Sequence, residues 1–527
     1  MSNDAGFKFC ILAAGRGTRN SSLNGLHKAL LPVSNRPVIS VILDRVPKHV
    51  PIVVAVGYKK EQIISYLQHV HPERHFSFVA IDNYDGPGSG PGLSLLQCRQ
   101  LLECPFIFTS VDTIDDEDVL FTSVEKNWVG VSRTNDKAGS YCLVGLDDRT
   151  KLVNNFFYGN HEDPLAFTGI AAIYDHGVFW ESLSKKDLIK NEHQVLNGFS
   201  DLGKIFPRKV EWIDTGNDAA YADARRKYPN DVVIEKDNEV LFIDNGKVVK
   251  YFSDEDKLRQ RVKRTLSLPA GCPKVAQINE NMFCYDYVDG VTLSNVHDEK
   301  ILRTFLHNYY DQFSSTVSYE KDRFIKDCDK MYREKTQKRI KSFSGSELDL
   351  ITTINGVSVP SITTLVEKID WEAIYQKALP RFFHGDLQPE NILVTPDNQF
   401  LYIDWRESFG QSTSIGDMYY DLGKLYHALL ISNQLVMKSC YSLQVNYKQN
   451  TAEISYLLKD NLLVLQKALS DFCKKQDLDY NHIRLLGILN YLNIAGLYGD
   501  FRDGDYGKFL FLLGKKMLCQ LLLEEKK

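Results

Sequence analysis

No run of apolar residues in this chain approaches the roughly 20 that a bilayer-spanning helix needs, so no membrane segment is expected. The ten cysteines form no C-x-x-C pair and no metal-like spacing, which fits reduced thiols in a cytoplasm. Cys10 and Cys142 sit among apolar residues and read as core packing. Positive charge is not in excess either: Lys and Arg number 63 against 68 Asp and Glu, a formal net charge of -5, so nucleic acid is not an expected partner. The N-terminus, MSNDAGFKFCILAAG, has an apolar run too short for export and continues into glycine where a cleavage site would stand. What is present is the balance of a globular protein, 43% apolar and 25% charged, which rules out a disordered or fibrous chain. At 527 residues the chain exceeds one ordinary core, so two or three domains are expected.

The most informative stretch runs from His384 to Arg406, HGDLQPENIL, a short turn, then FLYIDWR. An Asp stands two residues after the His, an Asn five after that, and a further Asp thirteen beyond, behind an apolar strand. Phosphoryl transfer needs a carboxylate to orient the attacking hydroxyl and magnesium ligands to clamp the phosphates. Asp386 suits the first task, and Asn391 with Asp404 the second. The alternative, a polar turn between two apolar strands, leaves three spaced ligand residues unexplained. The stretch resembles the signature of the aminoglycoside phosphotransferase and choline kinase superfamily, which phosphorylates small molecules. That resemblance implies a bilobal α+β kinase-like fold using ATP and Mg2+.

Near the N-terminus, Phe7 to Ala14 reads as a buried strand running into Gly15-Arg16-Gly17-Thr18-Arg19. A strand ending in a glycine turn offers backbone N–H groups to a phosphate. Lys28 follows in HKALLPVSNRPVI. The whole stretch resembles the L-A-A-G-x-G-T-R…K-x-L-L-P signature of nucleotidyltransferases that make sugar nucleotides (MobA-like, GT-A-like, including phosphocholine-type enzymes). The resemblance implies a Rossmann-like α/β domain whose Ala13, Ala14, Gly15, Gly17 and Thr18 hold an NTP, while Arg19 and Lys28 stabilise charge as pyrophosphate leaves. The bland reading is a tight turn with two solvated cations.

Pro51 to Gly57 and Phe76 to Ile81 read as strands, and Lys59 to Val70 as an amphipathic helix. The loop DNYDGPGSGPG opens a helix near Leu93. By resemblance Gly90, Pro91 and Gly92 would enclose the base, with a plain connecting loop as the alternative. Phe106 to Val111 delivers Asp112 at a strand's carboxyl end, where α/β sheets bind ligands. Asp112 suits a magnesium bridging phosphates. In the resembled family W-x-D-T-G supplies a second metal ligand, here Asp214 in WIDTG; Asp201 is a lesser candidate, explained equally well as a helix N-cap before Leu202. Phe167 to Ile170 loosely matches the family's acceptor-contacting segment.

The first domain is expected to end near residue 228, giving 1–228 and 229–527, with a kinase N-lobe over about 229–296 and a helical C-lobe over about 297–527. Asn245-Gly246 signals a hairpin. The strand after it carries Lys250 in the place of a kinase third-strand lysine, with an exposed strand lysine as the alternative. Asp254 to Leu266 reads as a helix. Asn281 to Leu293 resembles the strand and linker between kinase lobes, where Asp286 and Val288 would hold the adenine edge. The stretch GDMYYDLG resembles the phosphotransferase superfamily's G-D-x-x-Y-D-L-A-like segment, which implies that Asp417 and Asp421 have bracing roles beside the catalytic loop. Three helices are expected over about 453–475, 480–498 and 507–525.

Together these readings imply a bifunctional cytoplasmic enzyme with a small-molecule hydroxyl substrate. A kinase would phosphorylate a sugar, alcohol or amino alcohol with ATP. The N-terminal domain would then transfer a nucleotidyl group to the phosphoester, CMP from CTP being preferred, to give an activated precursor for surface polysaccharide or lipid. A choline kinase joined to a phosphocholine cytidylyltransferase is the alternative within the class, disfavoured by Arg406, which ill suits a cation. A non-catalytic scaffold is the alternative from another class. A homo-oligomer is compatible with either.

Overall fold

The computed structural model describes residues 6–17, 25–116, 120–134, 141–159, 164–185, 188–189, 191–228, 238–315, 317–498 and 504–524. Two compact units emerge: Met1–Glu255 with Ala276–Tyr287, and Asp256–Val275 with Val288–Lys527.

The first unit is built on a nine-stranded sheet. Its centre is the strand Lys8–Ala13, every residue of which after Lys8 is buried, as an apolar run covered on both faces requires. Parallel neighbours flank it, Ile52–Val56 on one side and Phe106–Ser110 on the other, with Phe76–Ala80 beyond Ile52–Val56. The chain thus leaves the first strand in one direction for two strands and then crosses to its other side. Such a reversal opens a crevice at the carboxyl ends of the strands. Leu165–Ile173 runs antiparallel beside Phe106–Ser110 and turns the outer part of the sheet into a mixed one. The helix Lys60–Val70 buries Ile63, Leu67 and Val70 along one stripe.

A second, four-stranded sheet shares this unit. Glu239–Asp244 and Lys247–Phe252 form the hairpin signalled by Asn245-Gly246, both of which take positive φ (45° and 72°), the geometry of a type I′ turn. Met282–Asp286 and Ala276–Gln277 complete it. Phe242, Val249, Tyr251, Met282 and Cys284 belong to the same buried cluster as Phe9, Ile39 and Ile63. Expected at the head of the second domain, this sheet packs in space with the first unit's core. Asp244 fixes it there, taking Arg36 Nε at 2.8 Å, Tyr66 OH at 3.0 Å and His71 Nε2 at 3.0 Å.

The second unit is mainly helical. Met418–Leu430 is buried throughout, and Tyr480–Ala495 and Asp505–Glu524 pack around it. A small sheet of Val291–Thr292, Ile392–Val394 and Phe400–Tyr402 carries the HGDLQPEN stretch. Two of the three expected C-terminal helices begin within a residue or two of their predicted starts. The first begins at Asp460 instead of 453, because Thr451–Tyr456 is a strand paired with Tyr441–Asn446. Its sequence alternates: Ala452 and Ile454 are buried while Glu453 and Ser455 face out, a period of two that overrides helix propensity. Among the described residues no helix is long and apolar enough to cross a membrane.

Candidate active sites

In the first unit the glycine turn leaves the central strand beside the end of Phe106–Ser110, since Leu12 pairs with Ser110. Gly17 has φ 68°, and a Cβ there would lie 3.0 Å from Lys28 Cδ, so the turn closes over the lysine's stem only because the position is glycine. Thr18 and Arg19 lie outside the described residues. His27 caps the short turn Lys28–Leu30 through Nδ1, which accepts the Ala29 N–H at 3.0 Å. Burial, with the adjacent Lys28 charge, lowers its pKa to about 3, so His27 is a neutral structural group.

Lys28 extends to Asp112, Nζ to Oδ2 2.9 Å, with both side chains largely buried. Trp212–Asp214 pairs antiparallel with Thr113–Asp115, and the Thr215 N–H donates to the Asp112 carbonyl at 3.0 Å. The structure therefore brings Asp112 and Asp214 together: a Cβ on Gly216 would stand 3.0 Å from Asp214 Oδ1 and 3.2 Å from Asp112 Oδ2. Asp214 is oriented by the Gly216 N–H (2.8 Å) and by Tyr141 OH (2.8 Å), a contact that the sequence did not indicate. Two carboxylates beside a glycine turn are oxygen donors of the kind magnesium accepts, an ion held by one or two carboxylates and by substrate phosphates.

The bulge between Phe167 and Ala171 lies against the same crevice: Gly169 (φ 86°) approaches Ser110 and Thr113, and Thr113 Oγ1 donates to the Thr168 carbonyl at 2.6 Å. Bulges of this kind re-aim a strand next to a site. Gly90 and Gly92 start the helix Pro91–Gln97, and a Cβ on Gly92 would meet the His193 carbonyl at 2.6 Å. Close packing thus gives these glycines a structural reason beside any contact with a base. Asp201 caps no helix; its carboxylate takes Ser182 Oγ and Lys185 Nζ.

In the second unit His384 is fully buried. Its Nε2 faces the Ile403 carbonyl at 2.9 Å and its Nδ1 faces the Asp386 N–H at 3.3 Å. A carbonyl only accepts and an N–H only donates, so the proton sits on Nε2 and the ring is neutral. Burial lowers its pKa to about 4, in agreement. Asp421 accepts the N–H groups of His384 and Gly385, both at 2.6 Å, and Tyr309 OH at 2.9 Å. Asp417 caps Met418–Leu430 and takes the Leu379 N–H and Tyr332 OH. Burial raises both carboxyls to about 6 against these hydrogen bonds. Asp421 braces the loop directly, whereas Asp417 ties the start of Met418–Leu430 to Leu379 and Tyr332 instead.

Asp386 is held by Gln388 Nε2 (3.0 Å), Lys424 Nζ (3.2 Å) and Asn391 Nδ2 (3.3 Å to Oδ2). Asn391 also donates to the Asp386 carbonyl at 2.9 Å, which leaves its amide oxygen as the group a metal would use. Asp404 adopts φ 58°, a left-handed conformation that Asp tolerates better than most residues. Arg261 Nη1 meets its Oδ1 at 2.6 Å. Asn391 and Asp404 supply the oxygen donors that Mg2+ prefers. Three turns of sequence in the helix Glu255–Arg264 thus matter more than its charge pattern suggested. Its last residue, Arg264, is buried, donates to the carbonyls of Phe383, His384 and Arg406, and lies 3.7 Å over the Phe383 ring. Burial drives its pKa down to about 9. Neither arginine was indicated by the sequence, because both act across more than 100 residues.

Lys250 lies on Lys247–Phe252 in the first unit, paired with Leu241 and Phe283. Asp286, mostly exposed, ends Met282–Asp286 and pairs with Lys247 at 2.5 Å; Val288 belongs to the second unit.

Residues 9–141 match the family described as MobA-like NTP transferase domain, and residues 356–437 match the phosphotransferase enzyme family. No curated protein matches the chain significantly. Among solved structures it is similar to a CTP:phosphocholine cytidylyltransferase from Streptococcus pneumoniae (20% identity, 42% of this chain and 98% of that one, TM-score 0.35). It is also similar to HddC from Yersinia pseudotuberculosis (18% identity, 42% and 99%, TM-score 0.33).

Proposed function

We propose that this transferase, which joins a nucleotidyltransferase domain to a phosphotransferase domain, makes an activated building block in two steps. In the second unit ATP phosphorylates a small hydroxyl compound. Asp386, fixed by Lys424 and Asn391, orients the hydroxyl and takes its proton, while Asn391 and Asp404 would hold Mg2+ against the phosphates. In the first unit the new phosphoester attacks the α-phosphate of an NTP, CTP in our reading, and pyrophosphate leaves. Lys28 offsets the charge that develops there, and Asp112 and Asp214 would hold Mg2+, which would supply further positive charge for the transfer. The observation that carries the proposal is the Lys28–Asp112–Asp214 constellation at the reversal of strand order, beside a glycine turn suited to a triphosphate. Both reactions use soluble substrates, in keeping with a cytoplasmic site of action.

The test separates the two sites. Small alcohols, sugars and sugar acids are screened with ATP and each NTP in turn, reading ADP and pyrophosphate. Asp386→Ala should lose on the order of 10²–10⁴ in phosphorylation yet still convert presynthesised phosphoester. Lys28→Ala should let phosphoester accumulate. Loss of both activities from either folded variant would refute the two-site scheme.

A further inference from the structure

Beside Asp386 the second unit gathers more positive charge than the proposed phosphoryl transfer explains. Lys424, only 9% exposed at its side chain, sits on Asp386 Oδ1 at 3.2 Å. Tyr420, also buried, receives Arg406 Nη1 and Lys335 Nζ at its hydroxyl, each at 3.5 Å. Lys335 also lies over the Tyr420 ring, 5.7 Å from its centroid, and makes no ion pair among the described residues. The carboxylates facing the group are Asp386 and Glu407. The latter stands 3.8 Å from Arg406 and 3.7 Å from Arg261, so it is shared with a fourth cation that already serves Asp404. Three cations therefore face one catalytic carboxylate and part of another.

Lys424 is withdrawn from water and Arg406 and Lys335 only partly so, and charges that lose water without matching anions are disfavoured. Lys335 directly follows a π-helical turn, Lys330–Glu334, a distortion that is rare and recurs at functional sites. The balance of charge shows in the titrating groups. Burial would raise the Tyr420 phenol, but Lys335, Arg406 and Lys424 pull it down to about 8, and burial lowers Lys335 to about 8.

Resting on the kinase reading above, we infer that the hydroxyl acceptor is itself an anion, a hydroxy acid or sugar acid whose carboxylate is bound by Arg406 and Lys335 while its hydroxyl faces Asp386. Arg406 presents a fork suited to a carboxylate and Lys335 a point charge beside it. In the transfer the hydroxyl oxygen bonds to the γ-phosphorus of ATP, the bond to the β–γ bridging oxygen breaks, ADP leaves, and the hydroxyl proton passes to Asp386. The product would carry two anionic groups, and its phosphate is the nucleophile for the second reaction.

The experiment compares matched pairs on the full chain with ATP and Mg2+: glycerate against glycerol, gluconate against glucitol, galacturonate against galactose, with choline and ethanolamine as cationic acceptors. ADP release is read for wild type, Arg406→Gln and Lys335→Met. The acids should be preferred at least 10-fold in kcat/KM, and each substitution should remove about 10- to 100-fold of that, mainly through KM for the acid, with KM for ATP nearly unchanged. Preference for neutral or cationic acceptors would overturn the inference and leave the kinase reading standing, as would a substitution effect confined to KM for ATP. Absence of turnover with every acceptor would sink the kinase reading and this inference with it.

Discussion

Asp244→Ala should loosen the four-stranded sheet from the rest of the first unit's core. The Asp244 side chain is 4% exposed and holds Arg36, Tyr66 and His71. Removing one partner of a buried pair typically costs about 3–5 kcal/mol. Here the survivors keep company: Arg36 retains both hydrogen bonds to Asp44, and Tyr66 and His71 both retain Ser40 Oγ at 3.1 Å. The loss should therefore fall toward about 2–3 kcal/mol, below the full cost of an orphaned charge. At about 2–4 °C per kcal/mol for a unit of this size, the first unit's melting temperature should drop by about 5–10 °C. Calorimetry of the full chain reads this, with the second unit's transition as internal reference. The pH dependence gives a second reading. Burial would raise the Asp244 carboxyl, but hydrogen bonds from His71 and Ser40 and the Arg36 charge outweigh it and hold it well below the usual carboxylate range. A depressed folded-state pKa contributes stability that is present above the unfolded value of about 4 and is lost as pH falls below it. Wild type should thus lose stability on acidification more steeply than Asp244→Ala. A melting temperature within about 1 °C of wild type at neutral pH, or parallel acid limbs, would refute the argument.

Gly92→Ala would put a methyl group 2.6 Å from the His193 carbonyl and 2.7 Å from that of Gln194. It should cost about 1–3 kcal/mol of first-unit stability in denaturant titrations, whereas Gly203→Ala, with open space around it, should be silent. Arg264→Lys replaces a planar fork, whose Nη1 and Nη2 reach separate carbonyls, by a single compact ammonium that cannot span the same positions. It should lower phosphorylation about 100-fold by slackening the loop that carries Asp386, with nucleotidyl transfer from presynthesised phosphoester unchanged in the same preparation.

Much of this was legible because it is written locally. The strand Lys8–Ala13 and the Asn245-Gly246 hairpin each follow from a handful of adjacent residues, whereas the Asp421 brace was an expectation from resemblance. The nearness of Asp112 and Asp214 was an expectation from resemblance alone; spacing could not reveal it, since strand pairing creates it. Arg261, Arg264 and Lys335 carried no local signal, because each gains its meaning from partners brought close by the fold. The alternation in TAEISY was present in the sequence and was outweighed by the helical pattern that follows it.

The way Arg264 is neutralised has a consequence for ionic strength. Its charge is met by three fixed carbonyl dipoles and an aromatic face inside the protein, where dissolved ions do not reach. Arg406 is part-exposed, and a carboxylate bound there would meet salt as a competitor. Added salt should therefore weaken the hold on an acidic acceptor long before it disturbs the loop that performs the transfer. Ionic strength thus becomes a dial that turns substrate capture while leaving the catalytic frame in place.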